Sequence, residues 1–138
     1  MNSASDSEHL FTPHEASNLL AELRPRLRDL MERKKVVDNL RVEVEKYNLI
    51  GLKTAEARDK ARHLDSLAEE MMRRIGEMED LGLVVRDIDF GLVDFPARRF
   101  GEKVFLCWRV GEPDVSYWHR PDEGFPGRKS LKTELIFP

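Results

Sequence analysis

Cysteine is nearly missing from this chain: Cys107 is the only one. A lone thiol excludes an intrachain disulfide and any CxxC pair, and it fits a reducing compartment. Histidine is scarce as well, four in 138 residues, and no two are spaced as HxxxH. No apolar run approaches the ~20 residues of a membrane-spanning helix. The first ten residues are rich in Ser, Asp and Asn, with no basic region ahead of an apolar one, so no signal peptide is expected. A cytoplasmic protein without a membrane partner is the expectation. An excess of charge of one sign is lacking too. The 23 Lys and Arg against 26 Asp and Glu leave a net charge of −3, which makes nucleic acid an unlooked-for partner. Internal repeats and low-complexity runs are absent, and the length suits one domain with a modest core.

Charge of both signs is plentiful. Asp, Glu, Lys and Arg make up 36% of the chain, against ~25% in ordinary globular domains, which suits long solvated helices. The aromatics concentrate in one stretch, Leu81 to Arg128, with both Trp, the Cys and five of the seven Phe.

Ahead of that stretch the pattern is helical. Residues 1–10 have little to bury and are expected to form a disordered tail. Thr12-Pro13-His14-Glu15 then carries a complete helix start, with Thr12 as N-cap, Pro13 at the first helical position and Glu15 closing a capping box. An apolar stripe follows at Leu20, Leu23, Leu27 and Leu30, and resumes at Val37, Leu40, Val44 and Tyr47. Pro25 interrupts the helix, removing a donor and clashing with the Ala21 carbonyl, so a kink is expected there. Gly51 marks a connection, and Thr54 caps a second helix with a heptad seam of Ala57, Ala61, Leu64, Ala68, Met71, Ile75 and Met78. Gly82 ends it. Two such helices joined by a short loop pack as an antiparallel hairpin over residues 11–81. Arms of ~27 to ~35 residues span ~40 to ~50 Å, whereas five-residue strands cover ~17–20 Å. The tip, from about Val37 to Leu64, is therefore expected to project beyond any sheet.

Residues 82–128 read as an antiparallel β-meander of about four strands. Lys103 to Val110 is its clearest strand: Val104, Leu106, Trp108 and Val110 share one face, and Phe105, Cys107 and Arg109 the other. Phe100-Gly101 sits where a hairpin turn belongs, with Gly101 suited to positive φ. Ser116 to His119 is a shorter strand bounded by Pro113 and Pro121. Residues 129–138 remain as a C-terminal tail, and its Leu135-Ile136-Phe137 end is expected to dock on the core or on another subunit. The fold class is α+β, with the kinked hairpin packed on the meander.

Several spaced motifs run through this region: Gly91-Leu92-Val93-Asp94-Phe95-Pro96-Ala97, Cys107-Trp108-Arg109, Gly111-Glu112, Trp118-His119, Gly124-Phe125 and Gly127-Arg128. Together with Phe11-Thr12 and the Leu-rich first helix, they make the chain resemble the prokaryotic DUF2203 family over nearly its whole length. That family is uncharacterised, so the resemblance implies no catalytic residues. One departure is Phe100-Gly101, where such proteins often carry Asp-Gly.

The polar residues among the strands are Asp94, Arg98, Arg99, Cys107, Arg109, Glu112, His119, Asp122, Glu123 and Arg128. Three chemistries compete for them. Cys107 and His119, with Asp94 or Glu112 as third ligand, form a zinc-type donor set, although the spacing signal is weak. Cys107 activated by His119, with Asp94 behind it, is a nucleophile arrangement, against which a Cys between Leu and Trp is more often a small buried hydrophobe. Arg98, Arg109 and Arg128 with Trp108 or Trp118 as walls suit a small anion or acidic ligand, with Asp94, Glu112 and His119 as further candidates for binding a small ligand, although arginines pairing with Glu112 or Asp94 to tie loops account equally well for the pattern. His9, His14 and His63 have no ligand-spaced partner. The basic run Arg24 to Arg41 on the first helix is a solvated coiled-coil face, since no aromatic or glycine pattern of a nucleic-acid binder accompanies it.

The reading is a small cytoplasmic binding or assembly protein. Its hairpin is expected to form a homodimer through apolar residues beyond one seam (Leu40, Val44, Tyr47, Leu49, Ile50 and Leu52 at the tip, with Leu19, Leu67 and Met72 beside it), and its β region to hold a small ligand or a metal. The rival is a small enzyme, metal-dependent or not, using Cys107, His119 and Asp94.

Overall fold

Regular structure begins at Thr12, in a computed structural model that describes residues 8–133. The Thr12 hydroxyl accepts from the Glu15 N–H at 3.1 Å while the Glu15 carboxylate accepts from the Thr12 N–H at 2.9 Å, the reciprocal box read from the sequence. It opens α1 (Pro13–Asn18), and a single non-helical residue, Leu19, separates α1 from α2 (Leu20–Leu49). Pro25 lies within the second turn of α2, where it withholds an N–H from the Ala21 carbonyl. The break between the two helices falls earlier, at Leu19, whose carbonyl accepts from both Glu22 and Leu23. Thr54 caps α3 (Ala55–Glu79) through its hydroxyl, and Gly82, at φ +103°, turns the chain off the helix. No helix among the described residues is long and apolar enough to cross a membrane.

Among the described residues the sheet has five antiparallel strands in sequential order: β1 (Val84–Asp87), β2 (Leu92–Arg99), β3 (Glu102–Arg109), β4 (Tyr117–His119) and β5 (Lys129–Ser130). The fifth was not legible, because two residues carry no period-two signal. It forms because Lys129 and Ser130 find partners in Trp118 and Tyr117. Part of the expected tail is thus sheet, while Leu135-Ile136-Phe137 lies outside the described residues. At the other end, residues 1–7 also lie outside them, and the first described residue, Glu8, pairs with Lys103 on β3 at 2.8 Å.

Period-two alternation divides the sheet into two faces. Val93, Phe95, Ala97, Val104, Leu106, Trp108 and Trp118 turn toward the helices and join Leu20, Leu23, Leu27 and Leu30 of α2 and Met71 and Met78 of α3 in one core. Four leucines at helical spacing bury one stripe of α2 entirely. The opposite face carries Val84, Asp94, Pro96, Phe105, Cys107, Tyr117 and His119, set side by side by the register Val84↔Asp94↔Cys107↔Tyr117 and Pro96↔Phe105↔His119. Between Val85 and Asp87 the β1 register shifts by a bulge, leaving Arg86 as the extra residue.

Two backbone positions matter for holding this face. Gly91 enters β2 at φ +68°, and a Cβ there would stand 2.4 Å from Val110 Cγ1, so only glycine fits the start of the strand. The β2–β3 turn uses positive φ at both central residues, Phe100 at +48° and Gly101 at +83°. That makes it a type I′ turn, whose twist matches the strands it joins.

Candidate metal and ligand site

Three neighbouring strands each bring one donor to the outer sheet face. Asp94 of β2 stands directly opposite Cys107 of β3, and His119 of β4 sits one diagonal further on the same face. Their side-chain donor atoms all lie within 4.8 Å of one another, and all three residues are buried. Zinc bonds of ~2.0–2.3 Å to N, O and S place tetrahedral ligand atoms ~3.3–3.7 Å apart. A closing of about an ångström would bring the cluster to those separations.

The hydrogen bonding around the cluster is incomplete in an informative way. Asp94 Oδ2 accepts from Arg86 Nε at 2.8 Å and stands 3.1 Å from His119 Nε2. Asp94 Oδ1 is buried and has no hydrogen-bond partner among the described residues. An orphaned carboxylate oxygen in a residue 1% exposed is costly unless something occupies its lone pairs. His119 Nδ1 lies 2.8 Å from the Arg120 carbonyl oxygen, which only accepts, so Nδ1 carries hydrogen. In a neutral ring the bare Nε2 then points at a carboxylate. Either a second proton or a metal ion must sit between them. Without a metal it is the proton: the hydrogen bond to Asp94 raises the His119 pKa above its ordinary 6.5 despite burial. A ring nitrogen fixed by a backbone carbonyl is also how proteins orient a metal-binding imidazole.

Cys107 is fully buried, and burial pushes its thiol up to about 12, with the Asp94 charge adding to the effect. Its Sγ lies 3.8 Å from Nη1 of Arg128. Arg128 is packed between the Tyr117 ring at 3.8 Å and the Phe125 ring at 4.3 Å, and it forks onto both carboxylate oxygens of Glu112. Phe125 in turn lies edge-on to Phe90, at 4.8 Å between centroids.

Of the residues singled out in the sequence, Asp94, Cys107 and His119 come together, and Arg128 and Glu112 border them. Glu112 is engaged by the Arg128 fork, and the donor atoms grouped with those of Cys107 and His119 are Asp94's. Arg109 stacks on Phe90 at 3.7 Å and bonds its carbonyl, apart from the trio. Arg98 is exposed and donates to the Gly101 carbonyl across the hairpin turn. Asp122 is exposed and Glu123 pairs with Lys129. Trp108 and Trp118 face the helices, because alternation gives odd and even positions of a strand opposite faces. Neither Trp is a wall of this site, though Trp108 Nε1 steadies the neighbouring turn by donating to the Glu112 carbonyl at 2.9 Å. Arg86 was missed. Its signal was an arginine at the alternate position after Val84, on the face that Asp94 occupies.

A family model described as "Uncharacterized conserved protein (DUF2203)" matches residues 9–131. The chain belongs to the DUF2203 family. The DUF2203 match spans every residue of the cluster and both helices that support the sheet. No curated protein and no solved structure matches the chain.

Proposed function

We propose that this DUF2203 protein is a small cytoplasmic binding protein that holds one divalent transition metal, zinc before others, through Asp94, Cys107 and His119. We propose also that it assembles as a homodimer through the tip of its helical hairpin. The metal reading is carried by the orphaned Asp94 Oδ1, buried beside a thiol and an imidazole whose other nitrogen is already engaged. A mixed N, O and S donor set suits zinc among the common divalent ions. The dimer reading is supported by Leu49 and Ile50 at the hairpin tip, 86% and 73% exposed.

The rival reading, Cys107 as a nucleophile activated by His119, asks for a thiolate. Burial and the Asp94 charge oppose one here, and His119 Nε2 is engaged with Asp94. An enzymatic role survives better in metal-dependent form, since three protein ligands leave zinc a fourth position. The test is native mass spectrometry with elemental analysis of the full chain after incubation with zinc and removal of excess. About one zinc per chain, lost in Cys107→Ser and in Asp94→Ala, is the expected result. A folded wild-type chain that retains no zinc overturns the reading.

A further inference from the structure

We propose that Arg128, with the cleft beside it, binds a small carboxylate-bearing molecule in the place that Glu112 occupies in this structure. The proposal rests on the metal reading above, because the carboxylate it describes sits beside the metal ligand Cys107. Four observations carry it. The Arg128 side chain is only 14% exposed and is clamped by Tyr117 and Phe125, so the entropy of ordering a long cation is already spent by the fold. One of its nitrogens faces Cys107 Sγ at 3.8 Å, and the same nitrogen donates to Glu112 Oε1 at 3.2 Å. The fork is thus shown to fit a carboxylate immediately outside the donor cluster.

Glu112, moreover, is not tied to Arg128 alone. It belongs to the turn after Gly111, and its Oε1 also accepts from the Arg109 N–H at 2.8 Å. The side chain keeps a partner when the fork is taken from it. Finally, Glu112 lines a cleft of about 250 Å³ together with Asp114, Ser116, Tyr117, Ser130 and Lys132. That space is sized for a small metabolite; the Asp114 carboxylate in it is held by the Ser116 hydroxyl, and the Lys132 ammonium is placed to meet the remainder of an acidic molecule. Glu112 is then a built-in competitor, holding the fork until a free carboxylate of matching geometry displaces it.

Calorimetric titration of the zinc-loaded full chain with acetate tests this. The wild type is expected to bind acetate saturably. Glu112→Gln, which removes the competing charge, is expected to tighten binding roughly tenfold, and Arg128→Gln to weaken it roughly tenfold or more, the loss of a charge-assisted fork. Elemental analysis of each variant shows that the zinc site, and hence the fold around it, is intact. Zinc-loaded Glu112→Gln protein that shows no saturable acetate binding overturns the carboxylate proposal and leaves the metal reading standing. A chain that takes up no zinc removes both.

Discussion

Cys107 illustrates how environment decides what a residue does. Between Leu106 and Trp108 it reads as a small hydrophobe, and in the fold it is fully buried with its thiol pushed up to about 12. Metal-free protein should therefore resist thiol reagents at pH 8 and react once unfolded in urea. Fast labelling of the native chain at pH 8 would contradict both the burial and the raised pKa. Zinc, in contrast, takes the thiolate and must expel its proton. Zinc uptake by the wild type in weak buffer should thus release protons and should tighten as pH rises. Phe100 is a second position where residue chemistry and backbone disagree. Its φ of +48° costs a non-glycine residue about 1–2 kcal/mol. The guanidinium of Arg99 over its ring, at 4.7 Å, returns about 0.5–1 kcal/mol at an exposed site. The backbone cost is the larger, so Phe100→Asn should raise stability by up to about 1 kcal/mol, read as a higher urea midpoint with unchanged slope. A lower midpoint would show that the stacked ring outweighs the turn.

At the scale of elements, the site exists because three strands are in a particular register. A slip of one residue between β2 and β3 would send Asp94 to the helix-facing side and scatter the cluster. Gly91, packed against Val110, and the type I′ turn pin that register. The Asp94–His119 pair is buried on both sides, at 1% and 4% side-chain exposure, so removing Asp94 leaves the buried His119 Nε2 without its partner. Asp94→Ala should cost roughly 3–5 kcal/mol in the metal-free protein. The pair also sets a pH dependence. His119 has its folded pKa raised above 6.5, so it binds its proton more tightly folded than unfolded. The stability this contributes is complete below about pH 6.5 and fades as pH climbs through the raised value. In chelator-treated samples, the stability difference between wild type and His119→Gln should shrink across that rise. A difference that grows with pH would place the proton elsewhere.

For the whole molecule, the hairpin outruns the sheet. Thirty residues of α2 extend about 45 Å, and an eight-residue strand about 27 Å. The outer arms hold each other through Val44, Ala57 and a polar clasp in which Lys60 reaches Glu43 and Tyr47. Val44 is thereby buried within one hairpin, and Leu40 and Tyr47 are half-buried and offer only part of their surface. Leu49, Ile50 and Leu52 at the tip remain exposed, as does Met72 on α3. Each such side chain fully covered by a second copy contributes about 1.5–3 kcal/mol before the cost of association. Sedimentation equilibrium should find a dimer that Leu49→Ser with Ile50→Ser converts to monomer. A monomer mass that persists in the wild type at high concentration rejects the assembly.

The elements themselves followed from local rules. The capping box at Thr12, the leucine stripe of α2, the heptad seam of α3 and the alternation in β3 each lie within a few residues, where backbone geometry alone sets the spacing. The α+β architecture and the two faces of the sheet were legible for the same reason. Which polar residues meet was not. Arg98, Arg109 and Arg128 looked alike in sequence, and only cross-strand register and aromatic packing put Arg128 against Cys107 while holding Arg98 at a turn and Arg109 on Phe90. Trp118 was offered as a pocket wall and became core, because its neighbour His119 took the outer face. Two-residue β5 and the reach of Arg86 likewise depend on partners distant in sequence. Periodicity determines what each segment becomes; pairing between strands, which no local pattern encodes, decided that Asp94, Cys107 and His119 share one buried point.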